Sequence, residues 1–220
     1  MRILEIIDLL EGPVNPKFGE RTVNKRLGGY VNKRANFNKA TGGFSNVVPD
    51  ADPHMVKKSS NTPMEPGETE GFRAFIEYIV KNGLTDNPHF PKVYSVKKIV
   101  DRDGKYIDSY KTEKLLTRND VDFEEFRDFV QTTIKPEHLT WRFSNAKNNR
   151  EMMDYLADNI RHECFEKSNI FTLDSLNEAC AIIDEMVESL NGANDLHGGN
   201  VLLRRTPFGL QVVLNDPLVL

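Results

Sequence analysis

The chain has 220 residues, of which 39% are hydrophobic and 28% charged, and its formal net charge is −4. This length and composition suit one core or two small lobes in a soluble globular protein, and they exclude disorder along the whole chain. Because the charge balance is acidic, there is no overall basic field to indicate a nucleic-acid-binding protein.

The first helix is predicted at residues 2–11, where isoleucine and leucine recur at helical spacing before Gly12 and Pro13. Acidic residues interrupt this apolar run, which argues against a secretory signal, and no apolar stretch approaches the length of a membrane span. We therefore expect a cytoplasmic protein with no membrane contact. Cys164 and Cys180 lack metal-ligand spacing, so we expect two reduced, buried thiols.

A basic segment follows, in which the tetrapeptide Val-Asn-Lys-Arg occurs at residues 23–26 and again at 31–34. The repeat has two interpretations: the arms of a hairpin or loop, or a docking surface for an acidic partner. Residues 1–40 are therefore predicted to form an N-terminal helix followed by a basic segment.

Residues 41–118 are predicted to form a β-rich region with one helix. Glycines at 42 and 43 lead into a short strand at 47–48, and turn residues separate it from a strand at 55–57. A helix is expected from about residue 68 to 81, with its stop at Asn82-Gly83. Two strands, at 93–100 and 106–112, flank a sequence typical of a hairpin turn.

Residues 119–220 are predicted to be mostly helical, with helices at 122–131, 149–165 and 173–190. Two strands, at 201–204 and 210–214, then form a hairpin through a Thr-Pro-Phe-Gly turn. This order predicts an α+β protein with a β-rich lobe, a connector near 113–118 and a helical lobe. A cleft between two such lobes would be a natural ligand site.

The chemistry is concentrated between Asp195 and Asp216, where a D-x-x-x-x-N loop precedes the hairpin and a second aspartate follows it. Phosphoryl transfer from ATP requires a carboxylate that orients and deprotonates the acceptor hydroxyl, and oxygen ligands that hold magnesium. This pattern supplies both. The simpler alternative is that Asp195 caps a turn and His197 is an ordinary surface residue.

Two motifs resemble the catalytic loop and the metal-binding aspartate of the protein-kinase-like superfamily: Asp195-Leu196-His197-Gly198-Gly199-Asn200 and Asp216-Pro217. A closer resemblance within that superfamily, over roughly residues 40–218, is to the early host-modifying serine/threonine kinases of short-tailed coliphages. The resemblance implies a bilobal kinase-like fold with a minimal helical C-terminal lobe. It also implies that Asp195 is the catalytic base, that Asn200 and Asp216 bind Mg²⁺, and that His197 donates a hydrogen bond to the transferred phosphate.

The same resemblance assigns the nucleotide site. Gly42, Gly43 and Ser45 would form the glycine loop, whose backbone amides approach phosphate oxygens. Lys57 would bind the ATP phosphates, with Lys58 left open because alternation sends the two lysines to opposite faces. Glu68, in line with the buried stripe of the predicted helix, would pair with this lysine, although a solvated glutamate near a helix N-terminus is an equal alternative. The gatekeeper and hinge beneath the adenine would include Thr112, Glu113 and Leu115.

The implied function is ATP- and Mg²⁺-dependent phosphoryl transfer to Ser or Thr of host proteins, with self-phosphorylation left open. Ala193-Asn194 precede Asp195, so the arginine that responds to activation-loop phosphorylation is missing and constitutive activity is expected. Only four residues of the sequence follow Asp216, so the helices of the usual peptide-binding platform are not expected. Two alternatives remain. One is a small-molecule kinase, because such kinases share the D-L-H-x-G-N form, although they usually have further helices after the metal-binding aspartate. The other is a kinase-like protein that inhibits a host factor by binding it through the basic repeat.

Overall fold

The computed structural model describes residues 40, 41, 45–60, 63–65, 68–100 and 103–220. The N-terminal helix and the basic repeat predicted from sequence lie outside these residues. Contacts divide the chain into two compact units. The first unit contains the described residues through Thr69 together with Lys92–Lys114, and the second contains Glu70–Pro91 and Leu115–Leu220. The chain is α+β, as predicted, with a sheet in its N-terminal region and mainly helices in its C-terminal part.

The first unit is built on one five-stranded antiparallel sheet in the order β1-β2-β3-β5-β4. Its strands are β1 (Ala40–Thr41), β2 (Ser45–Pro49), β3 (Met55–Ser60), β4 (Val93–Val100) and β5 (Tyr106–Glu113). The strands predicted from alternating sequence patterns all lie within these bounds. Every second residue of β5 from Tyr106 to Thr112 is buried, so the sheet has one covered and one exposed face.

Two lysines stand directly opposite each other on the exposed face, because Lys57 of β3 pairs with Lys111 of β5. Such like charges destabilise a sheet unless a counter-charge is near. Asp50 supplies it: its carboxylate oxygens lie 3.1 Å from Lys57 Nζ and 3.3 Å from Lys111 Nζ. A hydrogen bond from the Asp52 backbone N–H and the contact with Lys57 lower the pKa of Asp50 to about 2.

The Asp50→Asn variant is expected to have a lower Tm than the parent chain at neutral pH, because both lysines lose their counter-charge. The folded-state pKa of about 2 lies below the ordinary 3.8, so this stabilisation is complete above about pH 4 and is lost as the pH falls toward 2. Thermal melts of the two proteins should therefore converge at acidic pH. Asp52→Asn, which changes the carboxylate that accepts the His54 N–H in the same turn, is the control. An equal, pH-independent loss in both variants would contradict this role of Asp50.

The second unit contains one early helix and four later ones: α1 (Gly71–Lys81), α2 (Phe123–Thr133), α3 (Trp141–Asn145), α4 (Asn149–Glu166) and α5 (Asp174–Leu190). The three helices predicted after residue 118 are confirmed to within two residues at each end. Asp122 and Asn148 cap α2 and α4 by accepting backbone N–H groups of the first turn. None of the described helices is both long enough and apolar enough to cross a bilayer.

Helix α1 departs from the sequence prediction in two ways. It begins at Gly71 rather than near Glu68, because Glu70 is extended and the Glu68 carboxylate instead accepts the Glu65 N–H at 2.8 Å. It also belongs to the second unit, whereas the prediction placed it with the β-rich region. Its apolar side explains the difference, since Phe75 is fully buried and its ring meets Phe90 edge-on at 5.3 Å within that unit.

Helices α4 and α5 pack against each other and form much of the core of the second unit. The fully buried side chains include Leu156 and Ile160 of α4 and Leu176 and Ile183 of α5. Cys164 and Cys180 are both free and buried, as predicted. A hydrogen bond with Cys164, followed by burial, raises the pKa of the Cys180 thiol well above its usual value, so this thiol stays protonated at neutral pH.

Four short strands complete the second unit: β6 (Ala193–Asn194), β7 (Val201–Thr206), β8 (Gly209–Leu214) and β9 (Leu218–Val219). Strands β7 and β8 form the predicted hairpin, and β6 pairs with β9. Buried His89 holds β8 in place: its ring contacts Val212 O at 2.9 Å and Ser175 Oγ at 3.0 Å, and its carbonyl accepts the Leu214 N–H. Burial lowers the pKa of His89, so the ring is neutral; Nδ1 donates to Val212 and Nε2 accepts from Ser175.

Candidate active site

The predicted catalytic loop, residues 195–200, connects β6 to β7, and the segment 215–217 connects β8 to β9. The strand registers place the two connections side by side. Asn194 pairs with Leu218 just before the loop, and Val201 pairs with Leu214 just after it. Residues far apart in the sequence are therefore neighbours here because two antiparallel pairs bring both ends of each connection together.

Backbone hydrogen bonds join the loop directly to the segment that contains Asp216. The Asp195 N–H donates to Pro217 O, and the Asn215 N–H donates to Asn200 O, both at 2.9 Å. Asp216 thus lies between two residues that are bonded to Asp195 and Asn200. The three residues predicted to carry the chemistry are held in adjacent segments of one unit, and each of them is half-buried.

The side chain of Asn200 is bonded to Asp195. Its Nδ2 donates to the Asp195 carbonyl at 2.9 Å and to the Asp195 carboxylate oxygen Oδ2 at 3.0 Å. Both partners can only accept, so the amide orientation is determined and its oxygen Oδ1 faces the other way. Asn200 therefore orients the Asp195 carboxylate and presents an oxygen of the kind that hard cations bind.

His197 is exposed, and its ring lies over Gly199. The Gly199 N–H donates to His197 Nδ1 at 3.0 Å, so in the neutral ring the proton is on Nε2. A methyl group on Gly199 would lie 2.8 Å from His197 Cε1, a distance that excludes any larger residue unless the ring moves. The loop thus holds an imidazole whose Nε2–H is a hydrogen-bond donor.

Asp154 of α4 is a neighbour of the loop that was not predicted from the sequence. A methyl group on Gly198 would lie 2.5 Å from Asp154 Oδ1, so this carboxylate rests against the glycine. Asp154 also lies near Arg150, with 3.9 Å between the charged groups. No local pattern connects Asp154 with the loop, because only the packing of α4 brings them together.

The donor set suits magnesium better than a transition metal. In the described part of the chain, no group of three or more His, Cys, Asp or Glu side chains is arranged to hold a metal ion. The candidate ligands here are one amide oxygen, from Asn200, and one carboxylate, from Asp216. Magnesium takes oxygen ligands, keeps several waters, and is commonly bound by one or two protein carboxylates together with phosphates. The residues therefore fit this ion.

The two candidate lysines lie on opposite faces of β3, as alternation predicts. Lys57 is the exposed one, with 55% of its side chain accessible, and it pairs with Asp50. Lys58 is 5% exposed and pairs across the sheet with buried Tyr110. The preferred candidate, Lys57, is therefore on the exposed face, and the alternative, Lys58, is on the covered one.

The predicted pair between Lys57 and Glu68 is not formed. Glu68 lies before α1 rather than on it, and its carboxylate closes a turn onto the Glu65 N–H. Lys57 Nζ is bonded to Asp50 instead. Glu68 was selected because it continues the apolar stripe of the predicted helix. That position is not helical in the structure, since the helix begins only at Gly71.

The remaining predicted residues are placed as follows. Gly42 and Gly43 lie outside the described residues, and Ser45 begins β2. Thr112 is buried in β5, and Glu113 ends that strand with hydrogen bonds to Lys92 through both its N–H and its carboxylate. The chain passes from the first unit to the second between Lys114 and Leu115, within the connector predicted at 113–118.

Comparison with known proteins adds no family assignment. A scan of the chain against protein-family models gives no match, and a search of curated proteins gives no significant match.

Proposed function

We propose that the chain is an ATP- and Mg²⁺-dependent serine/threonine protein kinase, encoded by a phage and acting on host proteins in the host cytoplasm. The observation that carries this proposal is the Asn200 amide bonded to the Asp195 carboxylate, beside the segment that contains Asp216. A base held by an amide, and two oxygen ligands next to it, are the parts that phosphoryl transfer requires.

In this reaction, Asp195 accepts the proton of the acceptor hydroxyl while the oxygen of that hydroxyl forms a bond to the γ-phosphorus. The bond between the γ-phosphorus and the bridging oxygen breaks, and ADP leaves. Asn200 and Asp216 would hold Mg²⁺, which when bound neutralises phosphate charge. His197 Nε2–H donates to an oxygen of the transferred phosphate, because Gly199 keeps Nδ1 as the acceptor.

Lys58 is the better candidate than Lys57 for the lysine that contacts the nucleotide phosphates. The covered face of a sheet excludes water, and a cation there interacts with phosphate more strongly than one in solvent. Lys58 lies on that face, whereas Lys57 serves as the partner of Asp50 on the exposed one. The two adjacent lysines therefore form a natural pair of test and control positions.

Incubation of the purified chain with γ-labelled ATP, Mg²⁺ and a bacterial lysate is expected to transfer label to protein bands, which can include the chain itself. Lys58→Met should reduce this transfer by about 10²-fold, because one group that stabilises phosphate charge is lost. Lys57→Met, the matched control, should leave it nearly unchanged. Label that appears only in small molecules would favour the small-molecule kinase, and no transfer to any acceptor would contradict the proposal.

A further inference from the structure

Strand β9, which follows Asp216 and Pro217 directly, is approached very closely by the first residue of α1. A methyl group on Gly71 would overlap the carbonyl oxygen of Leu218, and it would lie 2.8 Å from Leu218 C and 3.2 Å from Val219 Cα. These are backbone atoms, so they cannot rotate away. Any residue larger than glycine at position 71 therefore requires α1 and β9 to separate.

A second glycine approaches the same strand. Gly192 lies between α5 and β6, and a methyl group there would be 2.6 Å from Leu218 Cδ1 and 2.9 Å from Val219 O. The first of these atoms belongs to a side chain that can change rotamer, so the restriction is weaker than at Gly71. Both glycines nevertheless limit where the backbone of β9 can lie.

The position of β9 determines the position of Asp216 relative to the loop. Leu218 pairs with Asn194, and Pro217 O accepts the Asp195 N–H at 2.9 Å. A shift of β9 therefore pulls on the two residues that precede it. The hydrogen bonds from Asn200 to Asp195 and from Gly199 to His197 lie within the loop. They therefore do not depend on Gly71 or Gly192.

We propose that Gly71 and Gly192 are positioning residues for the metal site: by admitting β9, they set the distance of the Asp216 carboxylate from Asn200 and Asp195. This inference rests on the proposed function, because it assigns Asp216 to the metal. Helix propensity makes the opposite prediction for Gly71, since alanine is the better helix former and would stabilise α1 if space allowed. A fall in both the Tm and the metal affinity of Gly71→Ala therefore supports the close approach to β9, whereas a higher Tm with unchanged metal affinity indicates helix propensity alone.

The test is a titration of the chain with Mn²⁺, a substitute for Mg²⁺, in the presence of a non-hydrolysable ATP analogue. Electron paramagnetic resonance measures the free Mn²⁺ at each step. Gly71→Ala is expected to weaken Mn²⁺ binding about tenfold, the usual minimum for loss of a supporting contact around a metal. Gly192→Ala should weaken binding in the same direction but less. Phosphate transfer by both variants should recover at saturating metal, which a general loss of folding would not allow.

Gly83→Ala is the matched control. Gly83 follows the other end of α1 at a φ of +70°, and nothing lies within 4 Å of a methyl group placed there. The Gly83→Ala substitution should lower the Tm through backbone strain and leave the Mn²⁺ affinity unchanged. An unchanged Mn²⁺ affinity in Gly71→Ala and Gly192→Ala, or an equal loss of affinity in Gly83→Ala, would overturn this inference and leave the proposed function in place. If Gly71→Ala does not fold, the Mn²⁺ affinity of Gly192→Ala is the deciding measurement. Failure of the parent chain to bind Mn²⁺ with nucleotide would overturn both the proposed function and this inference.

Discussion

Replacing Asp195 with alanine is expected to lower the rate of phosphate transfer to protein by about 10³-fold, within the range for loss of a general base. The fold should survive, because the loop keeps its backbone bonds from Asp195 N–H to Pro217 O and from Asn200 N–H to His197 O. The measurement is the initial rate at saturating ATP and Mg²⁺, together with the Tm of each protein.

Asp158→Ala provides the comparison for that experiment. Asp158 is a surface aspartate of the same unit whose carboxylate pairs with Arg142 and Arg161, and within the part of the chain that the structure describes it makes no hydrogen bond or ion pair with the loop. Its loss should leave the transfer rate near that of the parent chain. Full transfer by Asp195→Ala would contradict the assignment of Asp195 as the base. An Asp195→Ala variant that transfers no phosphate but still inhibits the host factor would favour the kinase-like binding protein.

The second large effect is expected at Asn200, because its side chain has two roles. Asn200→Ala removes the donor that orients the Asp195 carboxylate and also an oxygen ligand for Mg²⁺. We expect transfer to fall by about 10²-fold or more and the Mg²⁺ concentration needed for half-maximal activity to rise. Activity measured across a Mg²⁺ series separates the two losses, since only the second is restored by excess metal.

Asn200→Asp separates the roles further. This change keeps an oxygen ligand but places a second carboxylate where the amide now lies 3.0 Å from Asp195 Oδ2. Two carboxylates so close cannot both be ionised at low cost, so Asp195 becomes a poorly placed base. We expect Mn²⁺ binding to be retained while transfer stays at least about tenfold slow. Parental transfer rates in Asn200→Asp would show that the donor from Asn200 to Asp195 has no part in the reaction.

Local patterns predicted the long elements well. Helices α4 and α5, and the strands β4, β5, β7 and β8, follow hydrophobic periods of 3.6 or 2 residues, and these periods depend only on neighbours in the sequence. The start of α1 was misplaced because Glu68 continues the helical pattern of Phe72 and Phe75, although its own backbone is extended. A periodic pattern identifies an element more reliably than it identifies where that element begins.

The two lysines of β3 show a different limit. Alternation states that Lys57 and Lys58 face opposite ways, but it does not state which face is covered. Only the tertiary structure shows this: Lys58 is 5% exposed, whereas 55% of the Lys57 side chain is accessible. Burial therefore distinguishes the two lysines in a way that alternation does not, and it is the reason for proposing Lys58.

By itself, the amino-acid sequence determined the α+β class, most of the helices and strands, and the order in which Asp195, Asn200 and Asp216 occur. Only the tertiary structure decided that β9 returns beside β6, that Gly71 meets Leu218, and that Asp154 rests against Gly198. The physical reason is the range of the forces involved. Backbone geometry and side-chain periodicity act over a few residues, whereas these contacts join distant segments through packing and strand pairing that no local pattern contains.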